Sequence, residues 1–105
     1  MDFLTVYVTC KDGEVAKKIA SHMLEKRLVA CANMFPVKSM YWWEGEIEKE
    51  DEVALVMKTQ LAHKDSIVKE VLTLHSYDVP CVEFFDIRDG NPDYLEWIKK
   101  ETKPR

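Results

Sequence analysis

Apolar and polar residues alternate from Phe3 to Cys10, with Leu4, Val6, Val8 and Cys10 on one side and Thr5, Tyr7 and Thr9 on the other. That period of two predicts a strand with one face on a core. Asp12-Gly13-Glu14 breaks the pattern, Asp12 as a helix cap and Glu14 near the positive end of the helix. The spacing then changes. Val15, Ile19 and Met23 recur every four residues beside Ala16, Ala20 and Leu24, with Lys17, Lys18, Ser21, His22 and Glu25 opposite. An amphipathic helix ending near Lys26-Arg27 is expected.

Val29 to Phe35 reads as a short buried strand interrupted by Pro36, and Lys38 to Trp43 as extended chain again. Glu44-Gly45 is the best turn signal. Beyond it a polar stretch, Glu46 to Asp51, leads into apolar Val53 to Met57, so two long antiparallel strands are expected to meet at that turn. His63 to His75 carries Ile67, Val68, Val71, Leu72 and His75 at helical spacing. Pro80 ends that region and Cys81 to Ile87 reads as a last strand. Asn91-Pro92-Asp93 supplies cap, first-turn proline and first-turn acid for a final helix bearing Tyr94, Leu95, Trp97 and Ile98. The order is β-α-β-β-α-β with a C-terminal helix, an α+β chain of the ferredoxin-like kind with strand order 4-1-3-2.

The hairpin arms, from about Val37 to Thr59, exceed the usual strand of about five or six residues. A small sheet cannot pair that length within one subunit, and bare strand edges are liabilities. Adjacent Trp42 and Trp43 would also place large rings on alternate faces. A hairpin left in solvent is possible, but pairing with another subunit is the more economical solution, with Trp42 and Trp43 in the interface.

Composition narrows the function. The 105 residues give room for one domain, residues 1–105. Hydrophobic residues make up 47% and charged residues 32%, with few Gly and Pro, which excludes disorder. A formal charge of −4 opposes general nucleic-acid binding. The central strands also lack the paired aromatic and basic residues of RNA-recognition modules that share this topology. No apolar run approaches the roughly 20 residues that span a bilayer, and the first residues lack a secretory signal pattern, so no membrane partner is expected. Three widely spaced cysteines, Cys10, Cys31 and Cys81, form no CxxC pair and are odd in number, which fits a reducing, cytoplasmic setting.

Four ordered stretches carry a resemblance along nearly the whole chain. They are Glu25–Asn33 (EKRLVACAN), Tyr41–Ile47 (YWWEGEI), Leu74–Pro80 (LHSYDVP) and Gly90–Leu95 (GNPDYL). The chain resembles the CutA family of divalent-cation tolerance proteins, which is similar in fold and assembly to the PII signalling proteins. Two positions depart from the family pattern: Ser76 stands where proline is usual, and Cys81 where glutamate is usual. The resemblance implies a homotrimer, a role in divalent metal-ion (copper) tolerance and no enzymatic activity. The alternative it leaves is a PII-like module that binds a small ligand in clefts between subunits, with Lys58 and Tyr77 lining the cleft.

The topology brings the end of the first strand, the start of the last and the end of the second helix to one edge. Cys10, His75 and Cys81 should therefore cluster, with Cys31 near the opposite edge. The resemblance makes Cys10 and His75 candidate metal ligands, and thiolate and imidazole suit copper or zinc. A further histidine that some members carry is replaced by Leu74. The structural alternative stays open, since Cys10 ends an apolar row and His75 extends an apolar helix stripe. No cofactor is obligatory on this reading; copper or another divalent ion is the candidate ligand. Between Glu44 and Glu52 stand six acids and one lysine, read as a solvated arm because alternation points its side chains two ways.

Enzyme signatures are absent: no GxSxG, HExxH or Gly-rich phosphate loop occurs. Cys10 and His75 as nucleophile and base would lack an identifiable orienting group and oxyanion site.

Overall fold

The computed structural model describes residues 2–103. Its strands are β1 (Phe3–Cys10), β2 (Cys31–Trp43), β3 (Glu46–Gln60) and β4 (Val82–Asp86). Its helices are α1 (Gly13–Glu25), α2 (Lys64–Leu74) and α3 (Pro92–Glu101), and a 3-10 turn, Leu61–His63, leads into α2. The antiparallel sheet has the order β2-β3-β1-β4, the ferredoxin-like arrangement expected from the sequence.

Leu4, Val6, Val8 and Cys10 are buried with Leu55 and Met57 of β3 against Ile19, Ala20 and Met23 of α1 and Ile67 and Val71 of α2. The 2.0 and 3.6 residue periods thus meet in one layer between sheet and helices. Asp12 caps α1 by accepting a 3.0 Å hydrogen bond from the Val15 amide. At the other end Arg27 takes a left-handed φ of 59°, and the Leu28 amide donates to the Met23 carbonyl at 2.9 Å. That six-to-one bond closes the helix as a Schellman turn. The Arg27 guanidinium then reaches Glu101 of α3 at 2.9 Å.

The final helix starts as its sequence predicts. Asn91 Oδ1 accepts from the Asp93 amide at 3.0 Å, and Pro92 opens the first turn. Cys31 Sγ lies 3.5 Å from the Tyr94 hydroxyl, and Gln60 Nε2 donates to Thr102 Oγ1 at 2.7 Å. Cys31 and Gln60 share the sheet face turned away from α1 and α2, so α3 caps one end of that face and leaves the other open.

Two strand expectations are corrected. Pro36 does not interrupt β2, which runs unbroken from Cys31 to Trp43 with Pro36 opposite Val53. An edge strand tolerates proline because the missing N–H need not reach a second neighbour. Nor is Val29 to Phe35 a buried strand. Val29 is buried, whereas Asn33, Met34 and Phe35 are exposed, because β2 has a strand on one side only.

The hairpin is as long as its sequence suggests. Its register ends at Trp43↔Glu46 around Glu44 (φ 49°) and Gly45 (φ 82°), both left-handed as a two-residue I′ turn requires. β1 reaches only to Val53 on β3, so among the described residues Glu46–Glu52 pair with Val37–Trp43 and with no other strand. This two-stranded arm overhangs the sheet by about 20 Å.

Candidate functional site

The base of the arm is where the chemistry collects. α2 ends at Leu74, and His75 turns into extended backbone that aims its ring at β1. Its Nε2 lies 2.7 Å from the Thr9 carbonyl, and the Tyr77 amide donates to Nδ1 at 3.1 Å. A carbonyl only accepts, so the neutral tautomer carrying the proton on Nε2 satisfies both bonds. The Tyr77 ring sits 4.7 Å from the imidazole, and its hydroxyl donates to Glu52 Oε2 at 2.7 Å. Burial, reinforced by the Glu52 carboxylate, pushes the Tyr77 hydroxyl pKa well up. Thr9, His75, Tyr77 and Glu52 therefore form a chain of hydrogen bonds that pins the loop after α2 to β1 and β3.

Cys10 and His75 do come to one edge, as expected, but in forms unsuited to a metal. Cys10 is fully buried, and burial pushes its thiol up to about 11, with the charges of Glu52 and Asp12 adding to the effect. A metal would have to displace that proton and reach a sulfur closed off from solvent. His75 has neither ring nitrogen free. Among the described residues no group of three or more His, Cys, Asp or Glu is placed to hold an ion. The residues present do not fit a copper or zinc centre within one subunit. A consequence is measurable: Cys10 should be the last cysteine modified by a thiol reagent in folded protein at pH 7.5. Labelling of Cys10 at the rate of Cys31 would contradict its burial.

Cys81 lies just before β4, half-buried, with its sulfur 3.7 Å from Glu83 Oε1; burial and then Glu83 raise its pKa. The Val8↔Val82 register sets Cys81 beside Thr9, on the sheet face opposite Cys10. A disulfide between Cys10 and Cys81 would need the backbone to move. All three cysteines are free.

The other candidate residues separate in the same way. Lys58 is opposite Thr5 and Cys31, six residues along β3 from Glu52 and so about 20 Å from the Tyr77 contact. One subunit does not bring Lys58 and Tyr77 together. Trp42 and Trp43 point to opposite faces of the arm. Trp42 (71% exposed) stands with Met40 (69%) and Ile47 (53%) as a bare apolar strip. Trp43 shares the other face with Tyr41 and the glutamates of β3.

Reasoning from sequence missed that second face. Glu46, Glu48, Glu50 and Glu52 alternate strictly, so four of the six acids counted from Glu44 to Glu52 share one side of β3. Strand period alone could have found this. With Tyr41, Trp43 and Tyr77, the glutamates at 48, 50 and 52 line a groove of about 790 Å³ between the arm and the loop after α2.

Fold and site define a class first: a ferredoxin-like subunit with an overlong hairpin and an open groove at its base. Comparison with known proteins gives the family. The sequence pattern of the family described as CutA1 divalent ion tolerance protein matches residues 4–101. The divalent-cation tolerance protein CutA of Pyrococcus horikoshii is 41% identical over 100 residues, covering 95% of this chain and 98% of its own. The crystal structure of CutA1 from Oryza sativa superposes with a TM-score of 0.94 at 38% identity, covering 98% of this chain and 95% of that one. The Archaeoglobus fulgidus CutA structure, described as periplasmic, gives 0.94 at 39% identity over 96% of this chain and 99% of its own. The chain belongs to the CutA1 divalent ion tolerance family.

Proposed function

We propose that the protein acts in divalent-cation tolerance as a non-enzymatic homotrimer whose hairpin arms cover one another. The observation that carries the assembly is the apolar strip of Met40, Trp42 and Ile47 on an arm with no further strand partner among the described residues. Such a strip, together with unpaired strand edges, is stable in water only when covered. Cyclic closure supplies the cover by presenting each arm to the next subunit; the number three comes from the family resemblance. The non-enzymatic reading is supported by burial, which pushes the Cys10 thiol pKa up, and by the hydrogen bonds that engage both His75 nitrogens. Three free cysteines suit a reducing, cytoplasmic compartment. No helix among the described residues is long and apolar enough to cross a membrane.

On this reading Cys10 and His75 are structural, and any copper or other divalent ion is an exchangeable ligand held elsewhere. Cells lacking the protein should become more sensitive to copper, and both the wild type and Cys10→Ser should restore tolerance. Unchanged sensitivity would overturn the tolerance role, and rescue by the wild type alone would return Cys10 to a metal role. A second reading, a PII-like module for a small ligand, is favoured by the groove, which Tyr77 lines as that reading expects. Lys58 joins it only if a neighbouring subunit supplies it.

A further inference from the structure

We propose that Asp89-Gly90 is a site of covalent self-modification, where the aspartate rearranges spontaneously to isoaspartate at the entry to α3. The dipeptide Asp-Gly occurs twice in the chain, at Asp12-Gly13 and at Asp89-Gly90. Glycine in second place matters, because the amide that must react then carries no side chain to shield it. The fold gives the two copies opposite fates.

Asp89 is exposed in the loop between β4 and α3, and the Gly90 amide donates to its Oδ1 at 2.8 Å. Nucleophile and electrophile are thus held together, since the carboxyl carbon is one bond beyond that oxygen. The Gly90 nitrogen attacks Asp89 Cγ and gives up its proton. With one more proton from solvent, a carboxyl oxygen leaves as water, and a five-membered succinimide closes. Water then opens the ring at one of its two carbonyls and returns that proton. Opening at Cγ restores aspartate. Opening at the main-chain carbonyl leaves the backbone running through Cβ and Cγ. Water lost equals water regained, so the mass is unchanged.

At Asp12-Gly13 the same groups are committed elsewhere. Asp12 is extended (ψ 178°), and its Oδ1 accepts from the Val15 amide at 3.0 Å as the cap of α1. Its carbonyl accepts from Ala16 at 3.2 Å, and Gly13 already belongs to the helix. Ring closure there must first break the cap and open the first turn.

The rearrangement has a structural consequence. Isoaspartate adds one main-chain atom two residues before Asn91, whose Oδ1 accepts from the Asp93 amide and whose carbonyl accepts from Leu95. That extra atom displaces the cap on which α3 starts, and α3 closes one end of the open sheet face.

Incubating the full chain at neutral pH in heavy-oxygen water, followed by peptide mapping, tests the proposal. An isoaspartyl carboxyl methyltransferase with labelled S-adenosylmethionine then identifies the product. Oxygen uptake and methylation at Asp89 are expected about tenfold or more faster than at Asp12. Gly90→Ala should slow the reaction at Asp89 by a similar factor. The fold should hold, since a Cβ at Gly90 meets Leu95 at an ordinary 3.7 Å. Equal rates at the two sites, or an undiminished rate in Gly90→Ala, would overturn the proposal. In urea, where the cap is gone, the two rates should converge. A difference that persists there would assign it to neighbouring sequence and overturn the role given to the fold.

Discussion

Trp42→Ala should convert the assembled protein to monomers while leaving each subunit folded. Trp42 is the most exposed large apolar side chain of the arm and contributes nothing to the core, so its truncation leaves the packing of sheet on helices intact. Its indole, with Met40 and Ile47, forms the surface that a neighbouring subunit would desolvate. Truncating a buried interface tryptophan typically costs about 2 kcal/mol or more. In a closed ring every interface loses that amount, so the effect on assembly multiplies. Sedimentation velocity at micromolar concentration should show the variant at the mass of one chain, with an unchanged far-ultraviolet circular dichroism spectrum. A Trp42→Ala protein that sediments as the wild type would place the interface elsewhere.

His75→Ala should destabilise the fold by about 2–4 kcal/mol, because it deletes two hydrogen bonds at once. His75 is 9% exposed, and the loss of its ring leaves the Thr9 carbonyl and the Tyr77 amide without their partner. Tyr77 is then held less firmly, and its grip on Glu52 loosens with it. Urea unfolding at equal chain concentration checks this, since assembly also shifts apparent stability. A loss below about 0.5 kcal/mol would mean that water replaces both bonds and that the ring is not structural. The comparison separates two roles. A metal ligand could be removed from metal-free protein at little cost, whereas a structural histidine cannot.

Much of this was readable in the sequence because local and global signals agree. The alternation of Leu4, Val6, Val8 and Cys10, the Asp12 and Asn91 caps and the Glu44-Gly45 turn each specify one backbone state, and the structure adopts it. Pro36 misled because its meaning depends on whether a strand has one neighbour or two, which no local pattern states. Val29 to Phe35 misled for the same reason: an apolar edge strand is buried only when another chain covers it. At the site, topology alone brought Cys10 and His75 to one edge. The raised Cys10 pKa and the His75 hydrogen bonds came from burial and from contacts with Thr9, Tyr77, Glu52 and Asp12, scattered along the chain and invisible to spacing. The groove lay in plain sight as alternate glutamates, hidden by counting charges instead of facing them.

The central claim is that the overhanging arm exists to be covered by copies of the same chain. Sedimentation equilibrium of wild-type protein at micromolar concentration tests it most directly. The account predicts one species at three times the 12.3 kDa chain mass, holding that mass on dilution. A single species at the mass of one chain would contradict it, leaving Met40, Trp42 and Ile47 bare in water.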